Sequence, residues 1–144
     1  MKRCHMRLLA ALFCLMALQG NAQGPDSADP TTDTIRWYYG DIRSVIRSER
    51  VNIGGHFVSY GSKQLVWIQD GIDRTYTFDV IGVEGEWHNA SKEGSLIYKA
   101  TCLEVDGTIR ISRQRKGLKI ELDFSHPDKQ TPRLDFDVTR YTKM

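Results

Sequence analysis

Between residues 35 and 142 apolar side chains recur mostly at every second position, with short interruptions rich in Gly, Asp and Lys. Period two marks a strand with one buried face. It predicts strands over 51–60, 74–83, 95–105, 108–115, 118–125 and 133–142, and the aromatic run 35–39 and the continuous apolar run 65–68 add two more. Within 51–60 the Gly54-Gly55 pair predicts a bulge or sharp bend. One stretch breaks the alternation. In 41–50 the apolar residues Ile42, Val45 and Ile46 fall at i, i+3 and i+4, which predicts one short N-terminal helix capped by Asp41. Its other side carries Arg43, Arg47 and Arg50, the composition of a solvated face. Short strands in succession argue for an all-β, antiparallel up-and-down meander of seven or eight strands, forming a small barrel or a sandwich.

Asp106-Gly107 and Lys116-Gly117 are dipeptides that primed hairpin turns favour, so each is expected to form a two-residue loop. This register sets Cys102 opposite Ile111, Ile111 opposite Leu122 and, across the loop 126–132, Leu122 opposite Phe136. Cys102, Ile111, Leu122 and Phe136 then make an apolar row on one face, while Lys119, Glu121, Asp123, Asp135 and Asp137 fall on the other. A slip of one residue would reverse a strand, so the separation supports the assignment. The apolar face holds one anomaly. Tyr98, Arg113, Arg115 and Arg140 gather at its Lys116-Gly117 end.

Composition bounds the rest. At 40% hydrophobic and 26% charged, the chain is globular rather than disordered or collagenous. Lys2, Arg3 and Arg7 precede the apolar run 8–18 (LLAALFCLMAL), and Gly20-Asn21-Ala22 supplies a small-x-small cleavage site. Residues 1–22 therefore read as a cleaved signal peptide, the mature protein being secreted or periplasmic. The run is too short to span a bilayer, so the protein is not expected to be membrane-spanning. The signal removes three of the 20 basic side chains and no acidic ones, leaving 17 against 18 and a net charge of −1. That balance lacks the basic footprint of a nucleic-acid-binding protein. Cys4 and Cys14 leave with the signal, and Cys102 alone makes no internal disulfide. Residues 23–33 (QGPDSADPTTD) read as a disordered polar leader, and 34–144 as a single domain.

Signal, polar leader and meander together resemble small secreted bacterial lipocalin-like barrels, in layout, over about residues 35–142. Gly85-Glu86-Trp87 matches the family's Gly-x-Trp pattern but stands mid-chain. At the first strand, where the family carries it, Trp37 lacks the glycine. The resemblance implies a barrel and suggests ligand binding.

No motif points to catalysis or metal chemistry. His56, His88 and His126 lie in separate elements, with no His-x-His or HExxH spacing to hold zinc. A Gly-x-Ser-x-Gly elbow and a phosphate-cradling glycine loop are both missing. No catalytic residue, metal ligand or cofactor is assigned. Guanidinium groups, in contrast, grip carboxylate or phosphate in a two-pronged way, and tyrosine adds a hydroxyl. In chemistry the cluster resembles the headgroup site of fatty-acid-binding barrels. The resulting expectation is a non-catalytic binding protein for a small amphiphilic or hydrophobic ligand. Tyr98, Arg113, Arg115 and Arg140 would hold an anionic headgroup, and Cys102, Ile111, Leu122 and Phe136 would line the tail. The competing expectation is a secreted protein-interaction module, such as an inhibitor, adhesin or envelope-assembly component, with no ligand cavity. A barrel filled by Trp67, Phe78 and Phe124 favours the second.

Overall fold

The computed structural model describes residues 27–124 and 133–144. The expected signal, its cleavage site near Ala22, residues 23–26 of the leader and the loop bearing His126 lie outside them. The nine strands are β1 (Thr34–Ser44), β2 (Glu49–Val51), β3 (Gly55–Tyr60), β4 (Gln64–Gln69), β5 (Thr75–Glu84), β6 (Gly94–Cys102), β7 (Val105–Gln114), β8 (Gly117–Asp123) and β9 (Leu134–Lys143). Each of β3 to β8 pairs with the next strand, and β1 pairs with both β3 and β9. All pairings are antiparallel. The result is a closed eight-stranded barrel, with β2 as an extra strand beside the end of β1. Among the described residues no helix is long and apolar enough to cross a membrane.

The helix expected over 41–50 does not form. Ile42 continues β1 between Val51 of β2 and Phe136 of β9, and Asp41 pairs with Arg50 across the hairpin at 3.1 Å instead of capping a helix. Three apolar residues are too few to outweigh backbone pairing on both sides of a strand. Val45 and Ile46 consequently sit exposed in the β1–β2 turn. The bend expected at Gly54-Gly55 does occur. Between Val51 and Gly55 the chain has one residue more than the facing stretch of β1 from Ile42 to Tyr39.

Two turns fall elsewhere than the dipeptides suggested. The β6–β7 turn is Leu103-Glu104, with φ of 49° and 64°, and Asp106-Gly107 lies inside β7. Gly107 is there because the Phe124 ring packs on its backbone, where a Cβ would collide. The β7–β8 turn is Arg115-Lys116, Gly117 being the first residue of β8. Cys102 therefore faces Val105 instead of Ile111, Ile111 faces Ile120 instead of Leu122, and Leu122 faces Leu134 instead of Phe136. Every displacement is even, so the expected inward face survives while its cross-strand partners change.

That face meets in an aromatic core. Phe57 and Trp67 stack with ring centres 5.6 Å apart, and Phe136 meets them edge-on at 4.9 and 5.3 Å. Tyr39 closes on Phe136 at 4.8 Å, and Phe78 packs on Phe124 at 5.2 Å. The two core indoles of Trp37 and Trp67 are paired, as burial requires. The Trp37 indole donates to Ser59 Oγ at 2.9 Å, and the Trp67 indole to Tyr39 Oη at 2.7 Å. Burial pushes the Tyr39 phenol up to about 12, against the opposing effect of that indole donor. The middle of the barrel is occupied by interlocked rings.

Candidate functional site

One end of the barrel is sealed by two segments far apart in sequence. Residues 28–33 lie across it, with Ala28 and Pro30 buried, so this part of the expected disordered leader belongs to the folded body. The Ala90 N–H donates to Ala28 O at 2.8 Å, Ser62 Oγ to Thr31 O at 3.0 Å, and the Gly61 N–H to Asp33 O at 3.1 Å. These bonds capture the strap's backbone, which its polar composition concealed. The second segment is the β5–β6 loop, 85–93. Its Trp87 enters the barrel mouth, stacks on Trp37 with centres 6.1 Å apart and donates to Lys92 O at 3.0 Å. Gly94 makes room, because a Cβ there would run into the indole.

Charged groups pin the strap from outside. Asp29 accepts from the Thr31 hydroxyl at 2.6 Å and the Thr31 N–H at 2.8 Å, and meets His88 Nδ1 at 3.1 Å. Burial works to raise the Asp29 pKa, but together these donors outweigh it and hold the carboxyl below its ordinary 3.8. Asp33 is lowered as well, first by the Asp29 N–H and then by Lys143, whose Nζ is 3.1 Å away.

The sealing separates the four residues expected to share a headgroup. Tyr98 is fully buried, with its hydroxyl donating to Pro30 O at 3.2 Å, so it holds the strap. Arg140 is on the outer face. Thr139 is an extra residue on β9 between the pairs Tyr39–Val138 and Tyr38–Arg140, and this bulge reverses the alternation. Tyr141 turns towards Trp37 in place of the arginine, and Arg140 lies on the Tyr38 ring, 3.5 Å from its centre. Ile111, Leu122 and Phe136 are buried in the core as expected. Cys102 packs at the core's edge opposite Val105, and burial, with Asp79 nearby, raises its thiol pKa.

Arg113 and Arg115 do share a site, at the rim of the barrel beside the β5–β6 loop. They line an open cleft of about 570 Å³ together with Glu93, Gly94, Ser95, Arg110, Ser112, Gln114 and Lys116. Arg110, Ser112 and Gln114 lie on the face of β7 opposite Ile109 and Ile111, and Ser95 pairs with Ser112 across the hairpin. Arg115 and Lys116 form the exposed turn. Arg113 is fixed. Its Nε donates to Ala90 O at 2.6 Å and its guanidinium lies over Tyr141, 5.8 Å from the ring centre. Arg110 is held only loosely, 3.9 Å from Glu121. Among the described residues Arg115 and Lys116 have no ion-pair partner. Four cations thus face one carboxylate, Glu93, in a chain whose formal net charge is only +2.

Arg110, Ser112, Gln114 and Lys116 were not singled out from the sequence. The alternation Arg110-x-Ser112-x-Gln114 running into Arg115-Lys116 was the available signal: a polar strand face that continues into a basic turn. Among the described residues no three His, Cys, Asp or Glu side chains converge as metal ligands. His56 lies beside Tyr38 and His88 beside Asp29. Comparison with protein-family models, curated proteins and solved structures returned no match to the chain.

Proposed function

We propose that the chain is an exported, non-catalytic binding domain, lipocalin-like in layout, that engages an anionic partner on the outside of its barrel. The observation that carries this reading is the contrast between a middle filled by Trp67, Phe57 and Phe136 and an open cleft lined by Arg110, Arg113, Arg115 and Lys116. A tail-enclosing barrel needs room where these rings stack, and a headgroup site at the sealed mouth would need Tyr98 released from Pro30. An arginine and a lysine at an exposed turn beside a pre-fixed arginine suit charge recognition with little reorganisation. The interaction-module expectation therefore leads over the enclosed amphiphile.

The test is native mass spectrometry of the exported protein, beside a variant with Arg115→Glu and Lys116→Glu. The reading expects an acidic partner that is released by high salt and lost in the variant. A co-purified alkyl ligand that survives high salt and charge reversal would overturn it and restore the enclosed-amphiphile reading. A product that retains residues 1–22 would remove the export claim.

A further inference from the structure

Resting on the reading of the cleft as an anion site, we infer that it takes a ligand bearing two or more phosphate groups close together, and not a single carboxylate. Three observations lead there. The first is charge: Arg110, Arg113, Arg115 and Lys116 oppose only Glu93 among the lining residues. One carboxylate would leave most of that positive charge unmatched, whereas each phosphate monoester brings a charge of roughly −1.5 to −2.

The second is preorganisation. Arg113 uses Nε on Ala90 O and rests on Tyr141, so its two terminal nitrogens are presented as a fixed fork, with no partner among the described residues. A fixed fork matches two oxygens of one phosphate, and the exposed Arg115 and Lys116 can reach a second. The third is what the lining lacks. Ser95, Ser112 and Gln114 supply hydrogen-bonding groups, and among the described residues no aromatic ring lines the cleft to stack a base or a sugar face. Recognition therefore rests on oxyanions and hydroxyls. Volume agrees, since about 570 Å³ holds a small molecule carrying two phosphate groups.

Such a group reaches an exported protein either on a free small molecule or on a lipid head. Calorimetry on the mature protein with inorganic pyrophosphate, inorganic phosphate and acetate tests the chemistry. Pyrophosphate is expected to bind about tenfold or more tighter than phosphate, acetate not at all, and affinity to fall with added salt. Arg115→Met with Lys116→Met should weaken pyrophosphate about tenfold with an unchanged melting temperature, since both side chains are exposed. Arg113→Lys keeps the charge but not the fork, and should weaken it by a similar factor. Sedimentation with phosphatidylcholine vesicles, with and without phosphatidylinositol 4,5-bisphosphate, whose head carries two neighbouring phosphates, separates the sources. Vesicle binding that pyrophosphate displaces assigns the site to a lipid head, and pyrophosphate binding without vesicle binding assigns it to a soluble ligand. The inference fails if pyrophosphate binds no better than acetate, or equally well in the variants. If salt-labile capture of an acidic partner persists despite that failure, the anion site stands and only the phosphate assignment falls.

Discussion

The two ends of this barrel are finished in opposite ways. At one end the strap 28–33 and the loop 85–93 fold over the mouth, buried Trp87 and Ala90 fill it, and Tyr98 is tied to Pro30. At the other, among the described residues, the strands turn back in short connections. Val45, Ile46 and Val51 around the first hairpin, Ile72 in the β4–β5 turn and Leu103 in the β6–β7 turn all stand exposed, Leu103 by 82%. The sealed end is held by contacts between residues far apart in sequence, the turned end by local backbone geometry. The first should weaken when almost any contact is removed, and the second should tolerate change or improve.

Trp87→Ala is the strongest way to break this contrast. Removing a buried indole from a packed site costs about 3–5 kcal/mol. The loss should extend to the strap, exposing the Ala90 amide to hydrogen exchange well before global unfolding. If that amide stays as protected as in the parent, the two segments do not form one unit. Tyr98→Phe is milder. It deletes one buried hydrogen bond and leaves Pro30 O unpaired, for about 1 kcal/mol by denaturant titration.

At the turned end the sign reverses. Leu103 and Glu104 both hold positive φ, a conformation that L residues other than Asn and Asp adopt at a cost. Leu103→Asn should raise stability by about 0.5 kcal/mol, and a fall instead would mean that Leu103 makes contacts its exposure conceals. The smallest effect concerns pH. The Asp29 and Asp33 carboxyls are held below the ordinary 3.8, so the folded strap favours their charged forms. Their contribution is complete above that value and is lost as pH falls through the lowered ones. Trp87 fluorescence should therefore change in acid before the core unfolds, and Asp29→Asn should flatten that step.

The same contrast explains what was legible in the sequence. Alternation, with the aromatic run 35–39 and the apolar run 65–68, located eight barrel strands, and it located the inward face of β6 to β8 because period two survives any even error in register. The apolar row residues Ile111, Leu122 and Phe136 are buried for that reason, although Cys102 reaches only the edge. Turns were less legible. Asp106-Gly107 has the composition of a hairpin loop, but the Phe124 ring claims the space over Gly107, a contact no local rule contains. Arg140 was lost to a single bulged residue, Thr139, which carries no marker in its neighbourhood. Arg113 and Arg115 were picked out for being basic on an apolar face, and two of the four expected residues do line one cleft. Its outer wall was missed because polar positions on a strand look alike until something packs beside them.

The pairing of β1 with β9 carries a further consequence, for the order of events in folding. The side chain of Thr139 bonds the Tyr38 carbonyl across a separation of 101 residues, and this seam joins the first strand to the last. Closing so long a loop is slow, and folds dominated by such contacts mature late. Until β9 is available, β1 and β8 each keep an open edge, and the ring of strands has a gap that no earlier segment can fill. The seam is therefore the latch of the fold, and the barrel closes only when β9 docks between β8 and β1.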